Sequence, residues 1–280
     1  MAISNFIPTV WSETLYQELD REYIGVSNCN RDFEGDIKGM GSVVKICGVG
    51  NIVLSDYSKN NDMNSPQTLS DTVKEMRINN AKCFNFQIDD IDRAQANPKL
   101  MEGAMHNAAS ALASEADRHI YELVSSADKI IHLVDPSEEE VLNALLAARR
   151  YLYEKNVIDS SDIVIEISPI VAELLIRAKI LLSSDNVDNI EKGCLGTVAG
   201  CKVFVTNNLY TELEDNYLLY YCAVRSKRAI AYAEQISEIE AYRPEKRFAD
   251  AVKGLHLYGA AIIYPNELVS VKVAVPVEEE

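Results

Sequence analysis

A helical pattern that opens at Asn97 and runs to Val124 limits the folds open to this chain more than any other stretch does. Asn97 is a good N-cap, because its side-chain oxygen can accept from an otherwise orphaned amide, and Pro98 suits the first helical position, where no amide is needed. From there Leu100, Ala104, Ala108, Leu112, Ala116, Ile120 and Val124 step by four, and Met101, Met105, Ala109 and Leu123 fill the adjacent rows. A rise of about 1.5 Å per residue makes this rod about 40 Å long. Six alanines between 104 and 116 keep part of it narrow, so other elements can approach closely.

The stretch before the helix is of the opposite character. Ser55 to Ser70 is polar apart from Tyr57, Met63 and Leu69, too little apolar surface to offset the entropy of ordering the chain on its own. It is either a long mobile loop or an extension that gains burial from a partner. Two short strand patterns precede it, residues 42–47 and 51–54, with Gly48, Gly50 and Asn51 expected to join them in a turn. After it, residues 73–88 read as one long strand: Met76, Ile78, Phe84, Phe86 and Ile88 share one parity, and Arg77, Asn79, Asn85 and Gln87 the other. Near the N-terminus, Trp11, Leu15 and Leu19 predict a short amphipathic helix over 9–20, packed either on its own domain or on a neighbouring chain.

Beyond Val124 the pattern alternates. Ser137 and Glu140 form a capping box for a helix to about Glu154. Residues 163–167 read as a strand, and Ser168-Pro169 opens a third helix through Leu182. Gly196 to Gly200 leads into a strand at 201–206, and the nearly all-apolar run 217–224 reads as a central strand. The last third is strand-rich, ending in the clean alternation of Val269, Val271, Val273 and Val275.

Composition excludes several function classes. The net charge of −16 argues against a general nucleic-acid binder, although an acidic wall suits a container whose contents must not adhere. Basic residues cluster only at Arg225, Lys227 and Arg228 and at Arg243, Lys246 and Arg247, read as solvated faces or intersubunit ion pairs. No apolar run approaches the ~18–20 residues that span a bilayer, so no membrane partner is expected. The six cysteines form no C-x-x-C pair and read as reduced, mostly buried apolar groups.

Catalytic chemistry is not legible either. There is no phosphate-cradling glycine loop and no nucleophile elbow. His106 and His119 point to different faces of the long helix, and Glu115 is placed for an i,i+4 contact with His119. Asp89, Asp90 and Asp92 could hold a divalent cation through oxygen, but such clusters more often neutralise a helix N-terminus. No residue is therefore nominated as catalytic, cofactor-binding or metal-binding; no cofactor is expected, and the chain does not read as an enzyme.

The order of parts now carries weight: an arm, a long polar hairpin, a long strand, a long helix, a compact α/β portion and returning strands. With it go the runs Asn5-Phe6-Ile7-Pro8-Thr9-Val10-Trp11-Ser12, Arg31-Asp32-Phe33-Glu34-Gly35-Asp36-Ile37, Lys82-Cys83-Phe84-Asn85-Phe86-Gln87-Ile88-Asp89-Asp90, Ala113-Ser114-Glu115-Ala116-Asp117 and the strand-turn Gly196 to Asn208. Over nearly its whole length the chain resembles the tailed-bacteriophage major capsid proteins of the Hong Kong 97 fold, an α+β fold. The resemblance implies an N-terminal arm at 1–33, an extended loop (E-loop) hairpin and long strand at 34–96, a spine helix in a peripheral domain at 97–135, an axial domain at 136–240 and returning peripheral strands at 241–280.

The resemblance also implies a homo-oligomer of pentamers and hexamers in an icosahedral virion shell, assembled as a procapsid in the host bacterial cytoplasm. Double-stranded DNA would be a partner by containment, without sequence-specific binding. A portal protein is expected, and a separate scaffolding protein, because the chain starts directly at the arm. Two alternatives stay open. An encapsulin-type nanocompartment shell shares the fold but encloses enzymes; a small-molecule enzyme on an α+β fold would be a dispersed species that turns over a substrate.

Overall fold

The structure, a computed structural model, describes residues 15, 17–33, 39–49, 59, 71–89, 100–178 and 194–277. Twelve strands and three helices are defined among them. The strands are β1 (Val43–Val49), β2 (Asp71–Arg77), β3 (Asn80–Asp89), β4 (Lys129–Val134), β5 (Ile163–Ile167) and β6 (Cys194–Val198), followed by β7 (Cys201–Val205), β8 (Thr211–Glu214), β9 (Tyr217–Ser226), β10 (Ile230–Tyr242), β11 (Ala249–Ile262) and β12 (Leu268–Pro276). The helices are α1 (Leu100–Val124), α2 (Glu138–Glu154) and α3 (Pro169–Arg177).

The larger sheet has the order β4-β12-β9-β5-β7-β6. Strand β8 pairs with the first half of β9 and β5 with its second half. All five residues of β5 are buried, as expected for a strand covered on both faces. Residues 15 and 17–22 include helical backbone whose Leu15 and Leu19 join the same core as Met105, Ala109 and Leu112 of α1. Of the two readings of the arm, Leu15, Leu19, Tyr23 and Val26 therefore pack on their own chain; Trp11 lies outside the described residues.

Local signals explain the helix starts. The Ser137 hydroxyl accepts from the Glu140 amide while the Glu140 carboxylate accepts from the Ser137 amide, completing the capping box. The Ser168 hydroxyl accepts from the Val171 amide at 3.3 Å, with Pro169 at the first helical position. Asn97 and Pro98 lie outside the described residues, as do 179–182 of the third helix.

Several expectations need correction. The stretch 73–88 is two strands: β2 pairs with β1, and β3 pairs with β11, with Ile78 and Asn79 between them. The parity survives because Met76 and Ile78 are buried while Phe84 and Phe86 of β3 are half-buried against the core. Strand β1 does not turn at Gly48, which sits in register opposite Thr72; residues 51–54 lie outside the described residues. Gly196 is itself in strand, and the β6–β7 turn is Ala199-Gly200, whose φ values of 51° and 85° suit a two-residue hairpin.

The second sheet is β10-β11-β3, antiparallel throughout. The chain leaves the larger sheet at 227–229 and re-enters it as β12 after 265–267. Val269, Val271 and Val273 are buried in the larger sheet between β4 and β9. The alternation fits either placement; the pairing with both neighbours is what assigns it. Gly259 of β11 lies under the end of β2, where an added Cβ would come within 2.4 Å of the Arg77 carbonyl oxygen.

Candidate functional site

The buried polar groups gather where residues 23–32 pass between α1, the larger sheet and the β10-β11-β3 sheet. Residues Val26–Asn28 form a single 3-10 turn. The Asp117 carboxylate on α1 accepts from the backbone amides of Ile24 at 3.1 Å and Val26 at 2.9 Å. Gly25 fits between them because a Cβ there would lie 3.1 Å from Asp117 and from the Tyr121 ring. Burial pushes the Asp117 carboxyl up to about 6, despite the Val26 and Ile24 amides that pull it down.

Arg225 closes the turn from the other side. Its guanidinium donates from Nε to Glu166 Oε2 at 2.9 Å and from Nη2 to Glu166 Oε1 at 3.0 Å. It also donates to the carbonyls of Asn28 at 2.8 Å and Gly25 at 3.1 Å. The Asn28 amide reaches Glu166 at 3.2 Å. Desolvation raises the neighbouring Cys29 thiol to about 11, so it stays neutral at ordinary pH.

A second carboxylate holds the ends of the same segment. Glu234 of β10 accepts from the Tyr23 hydroxyl, from the Tyr232 hydroxyl at 3.0 Å and from Arg31 at 2.9 Å, and it pairs with His256 Nε2 at 2.9 Å. Burial alone would raise the Glu234 carboxyl, but the hydrogen bonds from His256 and Tyr23 and the charge of Arg31 hold it below its ordinary value. Asn30 adds a backbone bridge to β10 through Tyr232 and Ile230. Residues 23–32 are thus clasped by α1, β5, β9 and β10 together. This constellation can hold elements in register; being buried, it offers no surface to a substrate.

The residues singled out earlier fall elsewhere than expected. Arg225 is not on a solvated face: it is fully buried, and Arg228 pairs with Glu267 at 2.6 Å within the chain. Glu115 does not meet His119. It pairs with Lys82 at 2.8 Å and Arg118 at 3.0 Å, because β3 brings Lys82 alongside α1, and His119 lies 3.8 Å from Glu122 instead. His106 pairs with Glu18 at 3.0 Å. The side chains of Asp89, Asp90 and Asp92 are outside the described residues. Among the described residues no group of three or more His, Cys, Asp or Glu is disposed to hold a metal ion. Cys29, Cys194, Cys201 and Cys222 are buried and free, and Cys83 is exposed.

Glu166, Asp117, Glu234 and Asn28 were not singled out. The available signal was a glutamate inside the otherwise aliphatic strand Ile163-Val164-Ile165-Glu166-Ile167, a position that calls for a buried cation.

No family model matches the chain, and no curated protein does. Solved structures do. A structure from Mycobacterium phage Che8 matches with a TM-score of 0.68 and 25% identity, over 89% of this chain and 90% of that one. The capsid of Ralstonia phage GP4 matches with a TM-score of 0.66 and 10% identity, over 93% and 91%. The chain has the Hong Kong 97 capsid fold. A virus-like particle from Pyrococcus furiosus matches with a TM-score of 0.57 and 12% identity, over 94% and 98%, so the capsid fold here is shared with that particle too. Within this capsid fold, the clasp at 23–32 joins the layer of α1 and the β10-β11-β3 sheet to the larger sheet.

Proposed function

We propose that this chain is the major capsid protein of a tailed bacteriophage, whose copies assemble into the closed icosahedral head shell that contains the double-stranded genome. The observation that carries this reading is a likeness to phage capsid structures that spans about nine-tenths of both partners. An archaeal virus-like particle has the same fold with a lower TM-score, which leaves the nanocompartment shell as the second reading. The acidic balance of −16 suits an inner wall that repels packed phosphate.

In this reading residues 1–33 are the arm, 34–96 the extended loop and its strand, 97–135 the spine helix region, 136–240 the axial domain and 241–280 largely peripheral, with β12 returning to the larger sheet. Pentamers and hexamers of the chain are the building units. A scaffolding protein and a portal are its assembly partners, and the shell forms in the host bacterial cytoplasm. The polar run 55–70 finds its burial on a sister copy, so many weak contacts add up around a closed surface.

Deleting residues 55–70 tests the assignment. The expected product is a folded subunit, with an unchanged circular dichroism spectrum, that no longer closes particles. Normal shells from the deletion variant would contradict it. Recovery of portal and scaffold with the shells favours the phage head; recovery of a single host enzyme inside them favours the nanocompartment.

A further inference from the structure

Two hairpin tips of opposite charge close the far ends of consecutive strands. The β8–β9 turn lies at the start of β9, and the β10–β11 turn lies at the end of β10. Between them the chain runs through β9 and β10, of 10 and 13 residues, so the turns cap opposite ends of that path. The first tip carries Glu212, Glu214 and Asp215 around Leu213, which is 69% exposed. The second carries Lys246 and Arg247, which outweigh the exposed Glu245 before them, beside Phe248, which is 84% exposed; at its base Arg243 and Asp250 pair with each other. Among the described residues neither Lys246 nor Arg247 forms a salt bridge, and Phe248 is the most exposed of the large apolar side chains.

Resting on the reading of the chain as a shell subunit, we infer that the basic tip at Lys246, Arg247 and Phe248 docks head-to-tail on the acidic tip at Glu212–Asp215 of a second copy. The occupant is argued from charge. Copies carrying −16 each repel one another, and a local basic knob is the element that can turn that repulsion into attraction at a defined place. The alternative acidic surface, Glu138, Glu139 and Glu140, opens α2, where the helix dipole already partly offsets its charge. The β8–β9 tip keeps a net negative charge although Lys272 pairs with Glu214 at 3.4 Å, and its exposed Leu213 offers an apolar seat for the Phe248 ring. Because the two tips differ and sit on different elements, the contact is heterologous, the type that generates a ring where its rotation closes.

Two charge-reversed variants test this contact. K246E/R247E makes both tips acidic, and E212K/E214K makes both basic. Each variant alone is expected to associate at least tenfold less than wild type in sedimentation velocity, whereas an equimolar mixture regains association, because each then meets its complement. F248S, which alters an exposed side chain only, is expected to weaken association by a similar factor, with an unchanged thermal melt. Wild-type association by either reversed variant alone, a mixture that stays dissociated, or no effect of F248S would overturn the contact while leaving the shell reading intact. A wild-type chain that stays monomeric at every concentration would overturn both.

Discussion

Arg225 and Glu166 meet in the interior as a bidentate ion pair with neither side chain exposed. They lie on adjacent strands, β9 and β5, and both also hold the turn that follows Tyr23 through Asn28 and the Gly25 carbonyl. Two charges taken out of water this completely are tolerated because the pair is bidentate, Arg225 also donates to the Asn28 and Gly25 carbonyls, and Glu166 also accepts from the Asn28 side chain. The pair therefore acts as a junction: strand, strand and arm are specified together or not at all.

Breaking the pair on one side should be severe. Arg225→Met leaves Glu166 buried and uncompensated, and a loss of about 3–5 kcal/mol in urea unfolding is expected. The double variant Arg225→Met with Glu166→Met should lose clearly less than the single one, since no charge is stranded. Equal losses would show that packing, and not charge, dominates at this position.

Asp117 gives a pH signature. Burial raises its carboxyl from 3.8 to about 6 in the folded chain, so the folded state holds this proton more tightly than the unfolded state. Its contribution to stability is complete below about pH 3.8 and is lost as pH rises through about 6. The stability difference between wild type and Asp117→Asn should therefore shift against wild type by roughly 2 kcal/mol between pH 4 and pH 7. A difference independent of pH would refute the burial of this group as a carboxyl.

The Glu234 cluster should govern how firmly the arm is held. Glu234→Gln keeps the shape but removes the charge that Arg31 and His256 share, and a loss of about 1–3 kcal/mol is expected. Limited proteolysis should then cut within residues 24–33 faster than in wild type. Tyr23→Phe, which deletes one donor only, should show a smaller increase. Unchanged protection in both would place the hold on the arm entirely with Asp117 and Arg225.

Gly259→Ala tests the crossing of β2 over β11. The added methyl would sit 2.4 Å from a backbone oxygen, which cannot rotate away as a side chain could. A loss of at least about 1–3 kcal/mol is expected by thermal unfolding. Gly254→Ala meets only the Phe84 ring, at 2.5 Å, and should cost less because the ring can turn.

The reach of the sequence varied by element. The α1 pattern, the capping box at Ser137 and Glu140, and the central placement of β9 were legible because each signal is local, within a few residues. The break at Ile78-Asn79 was not, because the apolar side chains of β2 and β3 share one parity and periodicity is blind to a change of partner. The clasp was hidden for a related reason: Arg225 stands beside Lys227 and Arg228 and so resembles a solvated cluster, while its partner is 59 residues away. Only the third dimension separates a buried arginine from its exposed neighbours.

Electron microscopy of the purified wild-type chain, co-expressed with its genomic neighbours and checked by sedimentation velocity, decides whether this subunit builds a shell. Uniform closed particles with the chain as their most abundant component are the predicted result. A single dispersed species at every concentration, with no closed particles, would contradict it.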